Sequence, residues 1–270
     1  MSNLSHRERV SGIRLTWMLA RRDVKNRYAN SYAGLAWSIG VPLLYSLINV
    51  VVFSLLMRGR MGGDYSRVPF ALFYFVPFSL WSLFSEVANR SPGILREYSY
   101  LINKIAFPVW ALPLVPFASA LLSQIILWVI VAVLMFVYGI VPAGSVWIFA
   151  LIWACSVIIT IGFAYSVAAI SVYIPDLGQL VPVLVTIMFW LTPILYPATL
   201  VRASGAGWVR HIIMTYNPFY YMTESSRQAV FVGSDGIWFN LAILAATAVI
   251  ALLVGSYVFR KLQRGFADVI

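Results

Sequence analysis

"RRDVKNRYANSYAGLAW" (residues 21–37) changes its preferred solvent half-way along. Arg21, Arg22, Lys25 and Arg27 crowd its first half, with Arg14 upstream in the same cluster. From Tyr28 to Met57 the chain then carries no Asp, Glu, Lys or Arg. Such a run is longer than the roughly 20 apolar residues that cross the hydrocarbon core of a bilayer. The rest of the sequence agrees: 270 residues, 61% hydrophobic and only 10% charged. One small domain cannot bury that much apolar surface, because small domains leave much of their area exposed. A membrane supplies the missing apolar environment. The formal net charge of +10 sits beside apolar runs. It therefore reads as attraction to anionic lipid and as a topology signal, and nucleic acid is not expected as a partner.

Charge-free intervals give six candidate spans, over residues 33–57, 68–85, 108–138, 145–173, 177–197 and 237–259. The third and fourth are separated at Gly139-Ile140-Val141-Pro142-Ala143-Gly144, a turn by its Gly and Pro content. Six crossings put both termini on one side, and that side carries thirteen of the nineteen Lys and Arg residues, which places it in the cytoplasm. The spacing predicts one membrane domain over residues 33–259, preceded by a cytoplasmic segment 1–32 and followed by a basic tail 260–270. No cleavable signal peptide is apparent, so the first span is expected to direct insertion.

Several chemistries lack their residues. There is no G-x-x-x-x-G-K-[ST] loop for nucleotide phosphates. His6 and His211 lie on opposite sides of the membrane, which argues against a histidine metal site or a Ser-His-Asp triad. Glu86 and Asp176 sit at span ends and no acid falls mid-span, so the relay of a proton-coupled transporter is missing. Cys155, alone in its chain, reads as a buried inert thiol. Any transport would draw its energy from another subunit.

Four segments remain as candidates. In residues 13–28, Ile13, Trp17, Ala20, Val24 and Tyr28 recur at helical spacing, with Arg14, Arg21 and Lys25 on another face. This is an amphipathic helix, either a lipid-surface anchor or a gate. In "NRSPGILREYSYLINKIAFP", Ser91-Pro92 opens a short helix whose apolar stripe is Ile94, Leu95, Tyr98, Leu101 and Ile102. That stripe could dock a partner or lie on lipid. In "YNPFYYMTESSRQAVFVG", Asn217-Pro218 caps a further helix, with Phe219, Met222, Ser226 and Val230 on one face and Glu224 and Arg227 spaced to pair. Together with "LTPILYP" it suggests short helices dipping into the outer leaflet, or an ordinary surface helix. Last come the aromatics, 16% of the chain. Tyr74, Phe78 and Trp81 share a face of the second span, while Tyr45 and Asn49 share one of the first. Aromatic platforms with polar rims suit sugar rings, although bilayer interfaces also enrich aromatics.

"RRDVKNRYANSYAGLAWSIGVPLL", "LINKIAFPVWALPL", "FWLTPILYP" and "NPFYYMTESSRQAVF", in this order and spacing, resemble permeases of the ABC-2 type. The likeness is greatest to bacterial exporters of O antigen, capsule and teichoic acid, and it covers almost the whole chain. It implies an all-α integral membrane protein of the bacterial inner membrane, with six transmembrane helices, an amphipathic interface helix, a cytoplasmic coupling helix and outer re-entrant helices. The partners it implies are a second copy of the chain as a homodimer and two copies of an ATP-binding subunit that holds ATP and Mg. A lipid-linked glycan, membrane lipids and periplasmic or outer-membrane export proteins complete them; the chain itself would hold no cofactor or metal and would not be an enzyme.

Carried onto this sequence, Arg21, Arg22, Lys25 and Arg27 would attract the lipid phosphate at the entrance. Ser91, Pro92, Ile94, Leu95, Tyr98, Leu101 and Ile102 would form the coupling helix. Asn217, Pro218, Glu224 and Arg227 would belong to a re-entrant helix. Trp37, Tyr45, Asn49, Tyr74, Phe78, Trp81, Phe189, Trp190 and Tyr196 would be candidates to line the path. One departure stands out: relatives commonly show Arg-Asp between the fourth and fifth spans, and here Pro175 precedes Asp176. The alternatives are an ABC-2 drug or lipid exporter, a membrane-embedded glycosyl- or acyltransferase, and a non-transporting scaffold.

Overall fold

The computed structural model describes residues 12, 14–24, 36–57, 65–102, 108–143, 146–233 and 236–269. Ile13, Lys25, Arg27, Tyr28 and Asn103, and the side chain of Trp37, lie outside the described residues. Among those described, the chain is helical with no strand. The first helix, α1, covers residues 14–24. It is followed by α2 (Ala36–Leu56) and α3 (Phe70–Arg90), and then by a 3₁₀ turn (Ser91–Gly93), α4 (Ile94–Glu97) and α5 (Ser99–Ile102). The helices α6 (Leu114–Tyr138), α7 (Val146–Tyr173) and α8 (Leu177–Leu191) come next. Short α9 (Ala198–Ala203), α10 (Gly207–Arg210) and α11 (Pro218–Arg227) precede α12 (Ile237–Leu262) and α13 (Phe266–Val269).

Among the described residues, four helical stretches are long and apolar enough to cross a membrane: 70–97, 109–138, 147–173 and 237–265. Leu43–Leu56, within the 21-residue α2, and the 15-residue α8 are apolar but shorter. The fifth apolar run was expected to continue to residue 197, but α8 stops at Leu191. Pro193 disfavours the helical region for the residue before it, and Thr192 is accordingly extended (φ −95°, ψ 131°). The turn at Gly139 forms as the sequence predicts. Gly139 is left-handed (φ 63°), and its N–H caps the carbonyls of Met135 and Phe136.

α3 is the central element. It is buried along most of its length and packs on α2, α6, α7, α8 and α11, whereas α6 and α12 leave most of their surface open. α7 and α12 are the most extensively paired helices. Their backbones meet at Gly162 and Gly255: a Cβ on Gly255 would fall on the Gly162 carbonyl, and one on Gly162 on the Ala251 backbone. Without a hydrophobic drive between helices in lipid, close approach through small residues is what holds such a pair. Two apolar clusters follow the two ends of the bundle. One gathers Trp81, Phe84, Phe219 and Met222; the other gathers Leu19, Leu95, Leu112, Val172 and Phe259.

Candidate functional site

At one end of the bundle, α1 lies on the segment that joins α3 to α6. Its buried face is Thr16, Leu19, Ala20 and Asp23, while Trp17 is 63% exposed and Met18 is exposed too. Of the apolar stripe that the sequence predicts, Ala20 faces the chain and Trp17 does not. Polar fit sets this orientation: the Thr16 hydroxyl donates to the Ala111 carbonyl (3.4 Å), Ser119 donates to the Ala20 carbonyl (3.4 Å), and Asp23 forms an ion pair with Arg90 at the end of α3. Arg90 also reaches Glu97 (3.5 Å). Neither Asp23 nor Arg90 was a sequence candidate, since residues 67 apart carry no periodic signal. Arg14, Arg21 and Arg22 point outward, with Arg22 near the Tyr100 hydroxyl (3.5 Å).

The expected coupling helix is broken at Tyr98 (φ −106°, ψ 23°) into two short helices. Its apolar stripe does not face outward. Ser91, Pro92, Ile94, Leu95 and Tyr98 are buried, and Leu101 and Ile102 are half-buried against the same cluster. The Ser91 hydroxyl bonds the Val87 carbonyl (2.7 Å), Ser171 donates to the Pro92 carbonyl (2.7 Å), and Arg96 donates to the Val172 carbonyl (3.0 Å). The face left open is Gly93, Arg96, Glu97 and Tyr100. Asp23→Asn is expected to destabilise the folded chain by about 1–2 kcal/mol, below the cost of breaking a fully buried pair because Arg90 keeps water on one side. A double-mutant cycle with Arg90→Gln, read by thermal unfolding in detergent, measures the coupling. A coupling near zero would refute the tie between α1 and α3.

At the other end, the break after α8 leaves four polar groups facing inward, and α11 answers each of them. Asn217 caps its own helix by accepting from the Phe219 N–H (2.9 Å), as the sequence predicts. Its amide also donates to the Thr192 hydroxyl (2.9 Å) and the Leu191 carbonyl (3.4 Å). Arg227 is 0% exposed. It donates from Nη1 to the Pro193 carbonyl (2.7 Å), from Nη2 to the Ile194 carbonyl (2.7 Å) and from Nε to the Phe73 carbonyl of α3 (3.1 Å). The guanidinium also stacks 3.5 Å from the Phe73 ring centroid. Burial lowers its pKa to about 10, which still leaves it charged at neutral pH.

The spacing-based pairing of Glu224 with Arg227 does not form as a contact. Glu224 accepts from the Tyr65 hydroxyl instead (3.0 Å), and the planar fork of Arg227 is committed to carbonyls. α11 is buried from Phe219 to Arg227 on every side, so it is no surface helix. π-helical turns at His211–Thr215 and Gln228–Val232 flank it, and the second meets the α6–α7 turn through Ala143 N–H to the Val230 carbonyl (2.8 Å).

The path candidates divide. Tyr74 is fully buried, stacked on the half-buried Phe78 (4.8 Å between centroids) with its hydroxyl near Ser46 (3.4 Å). Trp81 is buried among Phe84, Phe189 and Phe219. These belong to the core. Tyr45 (68%) and Trp190 (55%) are exposed, whereas Asn49, Phe189 and Tyr196 are half-buried; Tyr196 donates to the Trp190 carbonyl (3.1 Å). Among the described residues, no group of His, Cys, Asp and Glu could hold a metal ion.

Comparison with known proteins places this geometry. The family described as ABC-2 type transporter matches residues 14–231, from the start of α1 to the turn after α11. The O-antigen export system permease protein RfbA of Klebsiella pneumoniae is 29% identical over 254 residues, covering 94% of this chain and 93% of that protein. Its namesake in Myxococcus xanthus is 27% identical, with 93% of each chain covered. The polysialic acid transport protein KpsM of Escherichia coli is 25% identical over 88% of this chain and 90% of its own. With the matched region spanning both polar ends of the bundle and the core between them, the chain belongs to the ABC-2 type transporter family.

Proposed function

We propose that this chain is the membrane permease of an ATP-driven exporter that moves a lipid-linked polysaccharide, such as O antigen or capsule, across the bacterial inner membrane. The observation that carries this reading is the full-length similarity to permeases named for O-antigen export and polysialic acid transport. In this reading the helices cross six times with both termini cytoplasmic, and two copies form the conduit. ATP is bound and hydrolysed by a separate subunit.

The open face Gly93, Arg96, Glu97 and Tyr100 meets that subunit. Motion delivered there reaches α7 and α12, because the buried stripe of α4 shares a core with them, and it reaches α3 through the 3₁₀ turn that continues that helix. Arg21 and Arg22, exposed on α1, together with Lys25 and Arg27, draw the anionic lipid end of the glycan to the entrance. Exposed Tyr45 and Trp190 offer sliding contacts to sugars.

Deletion of the gene in its host, followed by analysis of surface glycan and purification of the tagged chain, tests the reading. Loss of a surface polysaccharide, restored by the wild-type gene, and a co-purifying ATPase are expected. Glutamine at positions 21, 22, 25 and 27 together should lower export at least several-fold while leaving the amount of chain in the membrane unchanged. Intact glycan with new drug sensitivity would instead favour a drug or lipid exporter.

A further inference from the structure

Of the four residues on the open face of the α4–α5 segment, three each reach a different helix of the bundle. Arg96 donates to the Val172 carbonyl near the end of α7 (3.0 Å). Glu97 accepts from the Arg90 guanidinium at the end of α3 (3.5 Å), and the Tyr100 hydroxyl accepts from the Arg22 guanidinium of α1 (3.5 Å). The contact of Glu97 is the unusual one. The chain has only nine Asp and Glu residues, yet two of them, Glu97 and Asp23 of α1, meet at one cation. They also meet at one atom, because Nη2 of Arg90 serves both carboxylates. The Nε of Arg90 is buried and has no hydrogen-bond partner among the described residues.

A guanidinium committed to a single carboxylate offers it two parallel N–H groups. Arg90 instead divides one corner between two acids and leaves a further donor idle, so neither acid holds it in a fork. The two acids differ in reach. The Asp23 side chain is 4% exposed, whereas that of Glu97 is 47% exposed and lies on the face open to a partner. Whatever docks on that face touches Glu97 and leaves Asp23 covered. Two like charges beside one cation also repel each other. The divided donor and the repulsion act in the same direction: the nearer Glu97 stands, the weaker the hold of Arg90 on Asp23.

We propose that Glu97 is a positioning residue for α1. It competes with Asp23 for Arg90, so that drawing Glu97 outward tightens α1 on the bundle and pressing it inward loosens α1. The competition needs only the chain itself. That the ATP-binding subunit is what moves Glu97 rests on the export reading above. In that case the state of the ATPase sets how firmly the helix that carries Arg21 and Arg22 is held at the entrance.

Hydrogen–deuterium exchange of the full-length chain in lipid nanodiscs tests this, read by mass spectrometry on peptides covering residues 14–24. Amide protection there reports the local release of α1. E97Q should slow exchange of α1 about two- to fivefold, the range that an exposed ion pair can shift. D23N should speed it. E97Q/D23N should match D23N, since Glu97 then has no rival to weaken. Peptides from residues 70–84 of α3 should exchange alike in wild type and E97Q. Should D23N fold poorly, the sign of the E97Q effect carries the test alone. Faster exchange in E97Q would make Glu97 an added clamp, and unchanged exchange would make it a bystander; either overturns the inference. With the co-purifying ATPase bound, α1 of the wild type should change its exchange between nucleotide-free and vanadate-trapped states, and α1 of E97Q should not. An E97Q complex that responds as the wild type does also overturns the inference. An intact surface glycan in the deletion strain overturns the export reading instead, and it does not alter the exchange result on the lone chain.

Discussion

Arg227→Met is expected to cost the folded chain about 3–5 kcal/mol, among the largest effects a single substitution produces. The reason lies in what the guanidinium serves. Three carbonyls, of Phe73, Pro193 and Ile194, take their hydrogen bonds from it in a site closed to water. Methionine fills much of the volume but donates nothing, and each carbonyl left without a partner costs roughly 1–3 kcal/mol. The desolvation relieved by deleting the charge offsets only part of this, because the carbonyls and the face of Phe73 already compensate the cation. Arg227→Lys is expected to fall between the two: one ammonium cannot reproduce a planar fork aimed at three acceptors. Thermal unfolding in detergent, alongside the fraction eluting as a single species, reads the effect. A methionine variant that melts with the wild type would mean that the broken end of α8 finds other donors.

The second large effect is expected at the α7–α12 crossing. Gly255→Leu places a side chain where the Gly162 backbone already is, so the helices must separate along their whole contact. Overpacking an interior ordinarily costs about 1–3 kcal/mol by moving side chains, and here nothing flexible can move. We expect little folded protein from this variant and a lowered melting temperature even for Gly255→Ala. Gly178→Ala is the control. That glycine lies in the first turn of α8 with open space at its Cβ, and the change should stay within about 0.5 kcal/mol of wild type or stabilise slightly. If the two alanine variants behaved alike, close backbone approach would not be what joins α7 to α12.

The sequence made the apolar helices, the Gly139 turn and the Asn217-Pro218 helix start legible, because each depends on neighbours in the chain. What it left hidden depends on partners far away. The amphipathic pattern of residues 13–28 marks one apolar face, but it does not show that Thr16 and Asp23 turn inward, where the segment after α3 and Arg90 offer them a hydrogen bond and charge. The stripe Ile94, Leu95, Tyr98 is amphipathic, but amphipathicity does not say whether the apolar side meets another protein or the chain's own interior; here it is the interior. Spacing brings Glu224 and Arg227 to one face of α11, but the carbonyls exposed by Pro193 outcompete the carboxylate for the guanidinium. Tyr74 and Trp81 have the composition of a sugar platform and the burial of core residues.

α3 takes part in both polar ends of the bundle. Its Phe73 carbonyl receives Arg227, and its Arg90 side chain holds Asp23. At about 1.5 Å per residue the two points stand about 26 Å apart on one helix. α3 is therefore a strut pinned at each end. The clasp between α8 and α11 and the docking of α1 rest on one and the same helix. Pro77 interrupts its hydrogen-bond ladder four residues from the clasp end, so the Phe73 carbonyl has no helical N–H to accept from and is open to Arg227.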